Sequence, residues 1–273
     1  MKRWINCWPS RPVATLLGTL PFVVVFFVYI WGSNLRHQEN PNDKLLPAFS
    51  QIGTAMDELV LQPSARTGEY LFWQDTLSSL RRLGLGVLAA AALGLFAGLV
   101  TGALPMLGAG FTPLITAISL IPPMAVLPIL FIVFGLDELS KVMLIVIGVA
   151  PTLVRSVYQN CRELPQEQWV KAQTLGANSG QVMLRVLLPQ LTPRLVDAVR
   201  LSLGSAWLFL IAAEAIASND GLGYRIFLVR RYMAMDVILP YVAWITVLAF
   251  FTDFALARLN RWAFPWYNPA SRH

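Results

Sequence analysis

The chain has 273 residues, of which 56% are hydrophobic and 13% are charged, with a mean hydropathy of +0.58. Soluble domains carry about 25% charged residues, so this composition excludes an ordinary soluble protein and indicates an integral membrane protein. The net charge is +6, yet Lys and Arg are scattered through short gaps between apolar runs. This distribution excludes a nucleic-acid-binding protein, which gathers its basic residues on one face. Two cysteines, Cys7 and Cys161, predict neither a disulfide framework nor a metal site.

The first apolar run, residues 13–31, predicts a membrane-spanning helix, because about 20 apolar residues cross a hydrocarbon core of about 30 Å. Lys2, Arg3 and Arg11 precede it. The run is longer than the apolar core of a secretory signal, and no small-residue cleavage site follows it. We therefore interpret residues 1–32 as a retained anchor that begins in the cytoplasm.

Residues 33–80 are polar and carry acids and bases in near balance. Turn signals at Asn40-Pro41 and Gln62-Pro63 flank an amphipathic stretch at 49–61. This composition predicts an extracytoplasmic connection with short helices along the membrane surface.

Five further apolar runs follow within residues 81–265. They are 83–104, 111–134, 142–157, 201–217 and 237–256. In the gap 155–200, six basic residues stand against three acids, which predicts a cytoplasmic location by the positive-inside rule. Six spans with both termini in the cytoplasm fit these charges, and residues 266–273 then form a cytoplasmic tail.

Small residues recur every four positions in the second span, at Gly86, Ala90, Gly94, Gly98 and Gly102. On a helix they form one nearly continuous stripe, which in lipid lets another backbone come close. The stripe predicts tight packing, either against a helix of the same chain or across a dimer interface.

The third span contains IPPMAVLPI, in which Pro122, Pro123 and Pro128 remove backbone donors from an apolar run. Broken helix at membrane depth is tolerated where it is buried in protein or lines a water-filled cavity. These prolines and Met124 indicate either a span that borders a substrate path or a kink absorbed by neighbouring helices.

Glu214 lies within the fifth span, roughly 20 Å along it when counted from Leu201 at about 1.5 Å per residue. An intramembrane carboxylate is costly unless it is paired. Glu214 therefore indicates a gate or pathway wall, or else a structural hydrogen-bonding role. Asp253, in the last span, is expected to pair locally, for example with Arg258.

Arg225, Arg230 and Arg231 lie in the connection 218–236, which the six-span topology places outside the cell. One interpretation is an outer mouth that attracts anions or an acidic protein partner. The other is that these arginines are solvated or paired with Asp220 and Asp236.

Residues 165–189 predict two short helices joined by a glycine turn. Pro165 is placed to open the first helix, and Gly176 to end it in a left-handed cap. Asn178 or Ser179 can cap the second helix, which Pro189 is expected to stop. The apolar residues on one face of each helix are Trp169, Ala172 and Leu175, then Met183, Val186 and Leu187. The pattern leaves open whether this elbow lies on the bilayer or docks into a soluble partner.

The segment KAQTLGANSGQVMLRVLLPQLTP resembles the signature loop of permease subunits of bacterial ABC importers, in which a proline follows the loop glycine by thirteen residues, as Pro189 follows Gly176. Further segments from residue 45 to about 265 resemble the branch that handles nitrate, taurine, alkanesulfonates and related small solutes. They are LLPAFSQI, SLRRLGLGV, IPPMAVLPI, FGLDELSKV and GSAWLFLIAAEAIASNDGLGY.

This resemblance implies an all-α integral membrane protein with the type I ABC importer permease fold, about six transmembrane helices and a coupling elbow at about 158–190. It implies a homodimer in the bacterial inner membrane that joins two ATPase subunits and an extracytoplasmic solute-binding protein. The solute is expected to be small and anionic, such as nitrate, a sulfonate or taurine, or bicarbonate. ATP and magnesium are expected in the ATPase, because this chain lacks a G-x-x-x-x-G-K-[ST] loop. We expect no catalytic activity, cofactor or metal in this chain.

The resemblance also implies that the elbow contacts the ATPase. The residues that it implies are Glu167, Trp169, Lys171, Ala172, Thr174, Leu175, Gly176 and Ala177. Many relatives carry a glutamate at the start of this loop, where the present chain has Val170 followed by Lys171. Glu167 or Lys171 is therefore expected to supply the polar contact.

Two other classes of protein fit the sequence less well. An ion-coupled secondary transporter predicts inverted repeats and several intramembrane carboxylates, whereas no convincing repeat is visible and only Glu214 and Asp253 lie clearly inside spans. A membrane enzyme needs a nucleophile with a base, or a metal cluster. The sequence contains neither H-E-x-x-H nor G-x-S-x-G, and His37 and His273 lie in polar segments.

Overall fold

The computed structural model describes residues 9–40, 44–63 and 68–267, and within these ranges every regular element is a helix. The helices are α1 Arg11–Glu39, α2 Phe49–Leu61, α3 Leu71–Ala103, α4 Pro105–Ser119, α5 Pro123–Phe134, α6 Glu138–Arg162, α7 Gln166–Thr174, α8 Ser179–Ala217, α9 Leu222–Arg230 and α10 Met235–Ala263. Lys2, Arg3, Cys7, Pro41 and residues 268–273 of the predicted tail lie outside the described residues.

The chain divides into two compact units, Met1–Gln62 with Val229–Pro240, and Pro63–Leu228 with Tyr241–His273. In the first unit, the segment before α2 is tied to α1 because the Tyr29 hydroxyl donates to the Pro47 carbonyl over 2.7 Å. The Phe49 ring packs 5.3 Å from the ring of Phe26. Helix α1 extends beyond residue 32, the predicted end of the anchor, and most of its apolar side chains are exposed in the single chain.

In the second unit, the small-residue stripe of α3 packs directly on α6. A Cβ atom placed on Gly86, Gly94 or Gly98 would lie 2.7, 2.6 or 2.6 Å from the Cβ atom of Ile145, Leu153 or Val157, respectively. Real Cβ atoms do not approach so closely, so the two backbones meet only because these positions have no side chain. The stripe is therefore an internal packing surface of this chain, as the first of the two interpretations predicts.

The third predicted span is broken where its prolines lie. Helices α4 and α5 meet at an angle of 93° across the residues between Ser119 and Pro123. Pro122 has an extended conformation, with φ −63° and ψ 117°, and Pro123 opens α5. Proline is tolerated in the first turn of a helix because no N–H is needed there. The break lies where the prolines predict it, and α4 and α5 together cover the span predicted at 111–134.

The described part of the chain contains five helices that are long and apolar enough to cross a membrane, and the bent pair α4–α5 makes up to six. Helix α3 begins at Leu71, well before residue 83 and inside the predicted connection 33–80. Its first three turns contain the buried polar residues Asp75, Ser79 and Arg82. Hydropathy therefore marks only the apolar part of this helix.

Pro189 does not stop the second helix of the elbow, contrary to the prediction. Residues Val182–Leu187 form a π-helical stretch, and the Leu188 N–H donates to the Met183 carbonyl, five residues earlier. The wider turn accommodates a proline ring that lacks the N–H of a regular helix. Helix α8 consequently runs without interruption from the elbow to Ala217.

Candidate functional site

The turn of the elbow is held by two local motifs. Gly176 has φ +83°, and its N–H donates to the Gln173 carbonyl over 2.9 Å while the Ala177 N–H donates to the Ala172 carbonyl over 3.0 Å. This pair of bonds is a Schellman motif, which favours glycine at the left-handed position. Asn178 then caps α8, as predicted, since its side chain accepts from the Gln181 N–H over 2.8 Å.

The two arms of the elbow are also linked to each other. The Gln190 side-chain amide donates to the Gln168 side-chain oxygen over 2.9 Å. Val182 and Leu187 are buried at the start of α8. The elbow is therefore a stiff connection between α7 and a transmembrane helix rather than a loose loop.

The residues assigned to ATPase coupling divide into an inner and an outer set. Trp169, Ala172 and Ala177 are half-buried, whereas Glu167, Lys171, Thr174, Leu175 and Gly176 are exposed. Leu175 is 88% exposed and therefore does not share the inward face expected for it with Trp169 and Ala172. We call the exposed apolar residues Val170, Leu175 and Leu184, with the neighbouring charges Glu167 and Lys171, the elbow surface.

A cavity of about 890 Å³ adjoins the inner side of the elbow. Trp169 and Val170 of α7 line it together with Pro105 and Thr112 of α4 and Tyr158 of α6. Helices α4, α6 and α7 therefore share one cavity at the inner side of the elbow.

A groove of about 390 Å³ lies between the α4–α5 break, α6 and α8. Five of its lining residues carry hydroxyl groups, and we call it the hydroxyl groove. These residues are Ser119, Thr152, Ser156, Ser202 and Ser205. Of the residues predicted to shape a pathway, Pro123 lines the groove. Pro122, Met124 and Pro128 are exposed on the surface of the single chain.

Glu214 belongs to an ion cluster that we call the Arg82 cluster: Arg82, Glu138, Glu214 and Asp220. Arg82 and Glu214 are buried, Asp220 is partly exposed and Glu138 is exposed. The Arg82 Nη1 atom lies 2.8 Å from the Glu214 carboxylate, and its Nε atom lies 2.6 Å from that of Glu138. Its Nη2 atom pairs with Asp220, in the turn after α8. Burial alone would raise the pKa of Asp220, but hydrogen bonds from Ser78 and Arg82 hold it below its ordinary value.

The Glu214 carboxylate is fully buried, and three kinds of donor surround it. Besides Arg82, the Ser79 hydroxyl donates to it over 2.8 Å and the Gly223 N–H over 2.9 Å. A Cβ atom on Gly221 would lie 2.5 Å from this carboxylate, so only glycine fits there. These contacts are the hydrogen bonds that the structural interpretation of Glu214 requires, and the gate interpretation stays a prediction.

The three arginines of the connection 218–236 differ in their surroundings. The Arg225 Nε atom lies 2.7 Å from the buried carboxylate of Asp75, an ion pair that neither of the two interpretations named. The Gly221 N–H also donates to Asp75, over 2.8 Å. Arg230 and Arg231 are exposed.

Asp253 pairs with Arg200 of α8 and not with Arg258. The Arg200 Nε atom lies 2.9 Å from one carboxylate oxygen of Asp253, and its Nη2 atom donates to the other over 3.2 Å. Two parallel bonds satisfy both groups at once. This contact joins α8 to α10.

The Arg82 cluster brings together three separate sequence motifs. Arg82 lies in SLRRLGLGV, Glu138 in FGLDELSKV, and Glu214 and Asp220 in GSAWLFLIAAEAIASNDGLGY. The sequence interpretation singled out Glu214 but missed Asp75, Ser79 and Arg82 as its surroundings. The available signal was the presence of charged residues at the ends of three apolar runs, where buried charges require partners.

Long apolar helices, a break at membrane depth and a stiff elbow between spans define the membrane-spanning subunit of a transport system. The chain belongs to the family of binding-protein-dependent transport system inner membrane components, whose family model matches residues 90–265. It is therefore a permease subunit of an ABC importer, in which the ATPase is a separate subunit.

Relatives match along most of their length. The taurine transport system permease protein TauC of Escherichia coli strain K12 is 31% identical over 264 residues, 96% of this chain and 93% of that protein. The putative aliphatic sulfonates transport permease protein SsuC of Bacillus subtilis strain 168 is 30% identical, covering 82% of this chain and 79% of that protein. The bicarbonate transport system permease protein CmpB of Synechococcus elongatus is 28% identical, with coverages of 90% and 87%.

The fold is also similar to that of a solved structure. An inward-facing structure of the MetNI methionine ABC transporter matches with a TM-score of 0.63 and 20% identity, over 72% of this chain and 98% of that one. This similarity supports the type I importer permease fold of the present chain.

Proposed function

We propose that two copies of this chain form the transmembrane path of an ATP-driven importer for a small solute with an oxyanion group, such as taurine, a sulfonate, bicarbonate or nitrate. Both termini and the elbow lie in the cytoplasm, two ATPase subunits contact the elbows, and a solute-binding protein delivers the solute from outside. ATP and magnesium bind to the ATPase. Relatives named for taurine, aliphatic sulfonates and bicarbonate support this solute class.

The observation that carries this proposal is the construction of the elbow. Both sides of its turn are capped, and Leu175 at its tip is 88% exposed. A stiff element can transmit the movement of a bound partner, whereas a loose loop would absorb it. Glu167 and Lys171 are exposed beside the apolar residues of the elbow surface, where they supply polar contacts in place of the glutamate found in many relatives.

The broken span supports the position of the path. Leu120, Ile121 and Pro122 are not helical, and free backbone groups at membrane depth require protein or water around them. Pro123 lines the hydroxyl groove next to this break. Leu201 and Ser205, on the α8 side of the groove, are exposed in the single chain. A second copy is needed to enclose such a path, which supports the homodimer.

Charge supports the placement of the solute-binding protein. Arg230 and Arg231 are exposed in the connection that we place outside the membrane. Basic residues there attract anions and an acidic protein surface. Arg225 is paired with Asp75.

Substituting Leu175 by aspartate should separate the permease from its ATPase without disturbing the fold, because this side chain contacts mainly solvent. A carboxylate buried without a partner at the contact should lower association by about tenfold or more. The measurement is co-purification of the ATPase subunit from membranes, followed by ATP-driven uptake in proteoliposomes.

The matched control is Leu61→Asp, the same change at a leucine that is 67% exposed in the segment we place outside. It should leave co-purification unchanged. Undiminished ATPase binding and uptake by the Leu175→Asp protein would contradict the assignment of the elbow. Uptake by the permease alone, driven by an ion gradient, would instead favour a secondary transporter.

A further inference from the structure

We propose that the hydroxyl groove is the place where the permease contacts the solute, and that its serine and threonine hydroxyls hold the oxyanion as neutral hydrogen-bond donors. This inference rests on the proposed function and adds the residues and the type of contact. The donors are Thr152 and Ser156 of α6 and Ser202 and Ser205 of α8, with Ser119 at the end of α4.

The depth of the groove suits a transfer step inside the membrane. Helix α6 begins at Glu138 and has 25 residues. Gly148 and Ser156 line the groove and lie about 15 and 27 Å from the start of this helix at about 1.5 Å per residue. The groove therefore lies well inside the length of α6, away from both of its ends. A solute that crosses between the copies must exchange water for protein contacts at this depth.

The hydroxyls of the groove can find hydrogen-bond partners both when the groove is empty and when it holds a solute. The Ser202 hydroxyl donates to the Ala198 carbonyl over 2.9 Å, and the Ser119 hydroxyl to the Thr116 carbonyl over 2.8 Å. A hydroxyl rotates to suit its neighbour, so it can leave a carbonyl of its own helix and donate to a passing oxyanion. The Ala198 carbonyl lies inside α8 and keeps its helical bond, so it does not lose all its partners when the Ser202 hydroxyl turns away.

The charge around the groove favours an anion. The groove-lining residues in the described part of the chain include no carboxylate. The Arg155 Nη1 atom donates to the Ser119 hydroxyl over 3.2 Å, which places one positive charge beside the groove. Helix α8 carries two carboxylates, and neither lines the groove: Asp197 accepts hydrogen bonds from Arg200 and Asn260, and Glu214 is enclosed by the Arg82 cluster. An oxyanion is thus attracted without meeting a competing negative charge.

Neutral donors also suit transport better than a tight ionic clamp. A conducting site must bind its solute strongly enough for entry and weakly enough for release. A neutral hydroxyl gives an oxyanion a charge-assisted hydrogen bond, but it adds no full positive charge that would hold the anion by ion pairing. The solute therefore exchanges its hydrogen bonds to water for hydrogen bonds to the hydroxyls and can still dissociate.

The apolar floor of the groove limits the size of the solute. A Cβ atom on Gly148 would lie 2.3 Å from the Phe209 ring, so the glycine allows this ring to lie directly against α6. Phe209 and Val149 complete the lining. The volume of about 390 Å³ is near the lower end of the range for small-molecule sites, about 300–1,000 Å³.

A matched pair at one position tests the charge requirement. Ser205 is exposed in the single chain, so both aspartate and asparagine, which have nearly the same shape, can be accommodated. In proteoliposomes with the ATPase and a taurine-loaded binding protein, Ser205→Asp should reduce taurine uptake at least about tenfold relative to Ser205→Asn, because a carboxylate repels the sulfonate. Equal uptake by the two variants, or equal loss, would overturn the inference.

Removal of hydroxyls gives a second, independent measurement. The double variant Thr152→Val and Ser202→Ala should lower kcat/KM for taurine-loaded binding protein about tenfold, through KM, kcat or both. It should still bind the ATPase. Thr246→Val is the control, because Thr246 is an exposed hydroxyl on α10 that bonds only to its own helix, at the Val242 carbonyl. Unchanged uptake by the double variant would overturn the inference even if Ser205→Asp failed to assemble.

The wild-type complex separates this inference from the proposed function. If wild-type permease with its ATPase moves taurine on ATP hydrolysis, the variants report on the groove. If it assembles but moves none of taurine, methanesulfonate, bicarbonate or nitrate, the proposed solute class is wrong, and the inference about the hydroxyls is overturned with it.

Discussion

Replacing Arg82 by methionine is expected to lower the free energy of unfolding by about 3–5 kcal/mol, because breaking a buried ion pair leaves an uncompensated charge. Glu214 is fully buried, and the Arg82 side chain is only 3% exposed. The same change removes the positive partner of Asp220 and one of the two positive partners of Glu138, which keeps its contact with Lys141. The measurement is thermal unfolding of the purified protein in detergent, together with the yield of folded protein from membranes.

Arg81→Met is the matched control, because Arg81 is the exposed neighbour of Arg82 on the same helix. It should change stability by less than about 0.5 kcal/mol. The double variant Arg82→Met and Glu214→Met should recover much of the loss, since apolar replacement of a buried pair is often neutral. Equal stability of the Arg82→Met and Arg81→Met proteins would show that the cluster does not hold the fold.

The Arg82 cluster matters for function because of where α8 ends. This helix begins at Ser179 in the elbow and continues to Ala217, and its 39 residues correspond to about 58 Å at about 1.5 Å per residue. Glu214 lies in its last turn and is fixed to α3 by Arg82 and Ser79. Arg200 fixes the middle of α8 to Asp253 of α10. Helix α8 is therefore anchored at several points, and the coupling that we propose at the elbow requires α8 to move together with α3 and α10.

The features that could be predicted from the sequence are those encoded by neighbouring residues. The left-handed turn at Gly176 and the cap at Asn178 need only a few consecutive positions to form. The break at Pro122 and Pro123 follows from the loss of backbone donors, wherever the helix lies. These elements were therefore correctly placed before any tertiary contact was known.

The features that were missed depend on residues far apart in the chain. Hydropathy ends at charged residues, so the buried turns of α3 around Asp75 and Ser79 were read as part of a polar connection. The partner of Asp253 was sought nearby at Arg258, but Arg200 on another helix is closer in space. Periodicity showed that Gly94 must meet another helix without showing which one. The spacing of residues along a helix shows which face of the helix they share. Only the packing of the helices determines which residues that face contacts.

Placing a methyl group on Gly98 is expected to destabilise the protein by about 1–3 kcal/mol, the usual cost of overpacking. The added Cβ atom would lie 2.6 Å from the Cβ atom of Val157 and 2.9 Å from the Val154 carbonyl oxygen. Because one of these atoms belongs to the backbone, rotation of a side chain cannot relieve the clash, and α3 and α6 must separate. Thermal unfolding of Gly98→Ala in detergent measures the effect.

Gly84→Ala is the control on the same helix, since a Cβ atom there meets nothing within 4 Å. Alanine is favoured over glycine in a helix by about 1 kcal/mol, so this variant should be as stable as the wild type or more stable. If Gly98→Ala behaved like Gly84→Ala, the close approach of α3 and α6 would not be a constraint on the fold. One added methyl group is thus expected to lower the stability at Gly98 and to keep or raise it at Gly84, fourteen residues away on α3. The two effects differ because Gly98 faces α6, whereas a Cβ atom at Gly84 meets nothing.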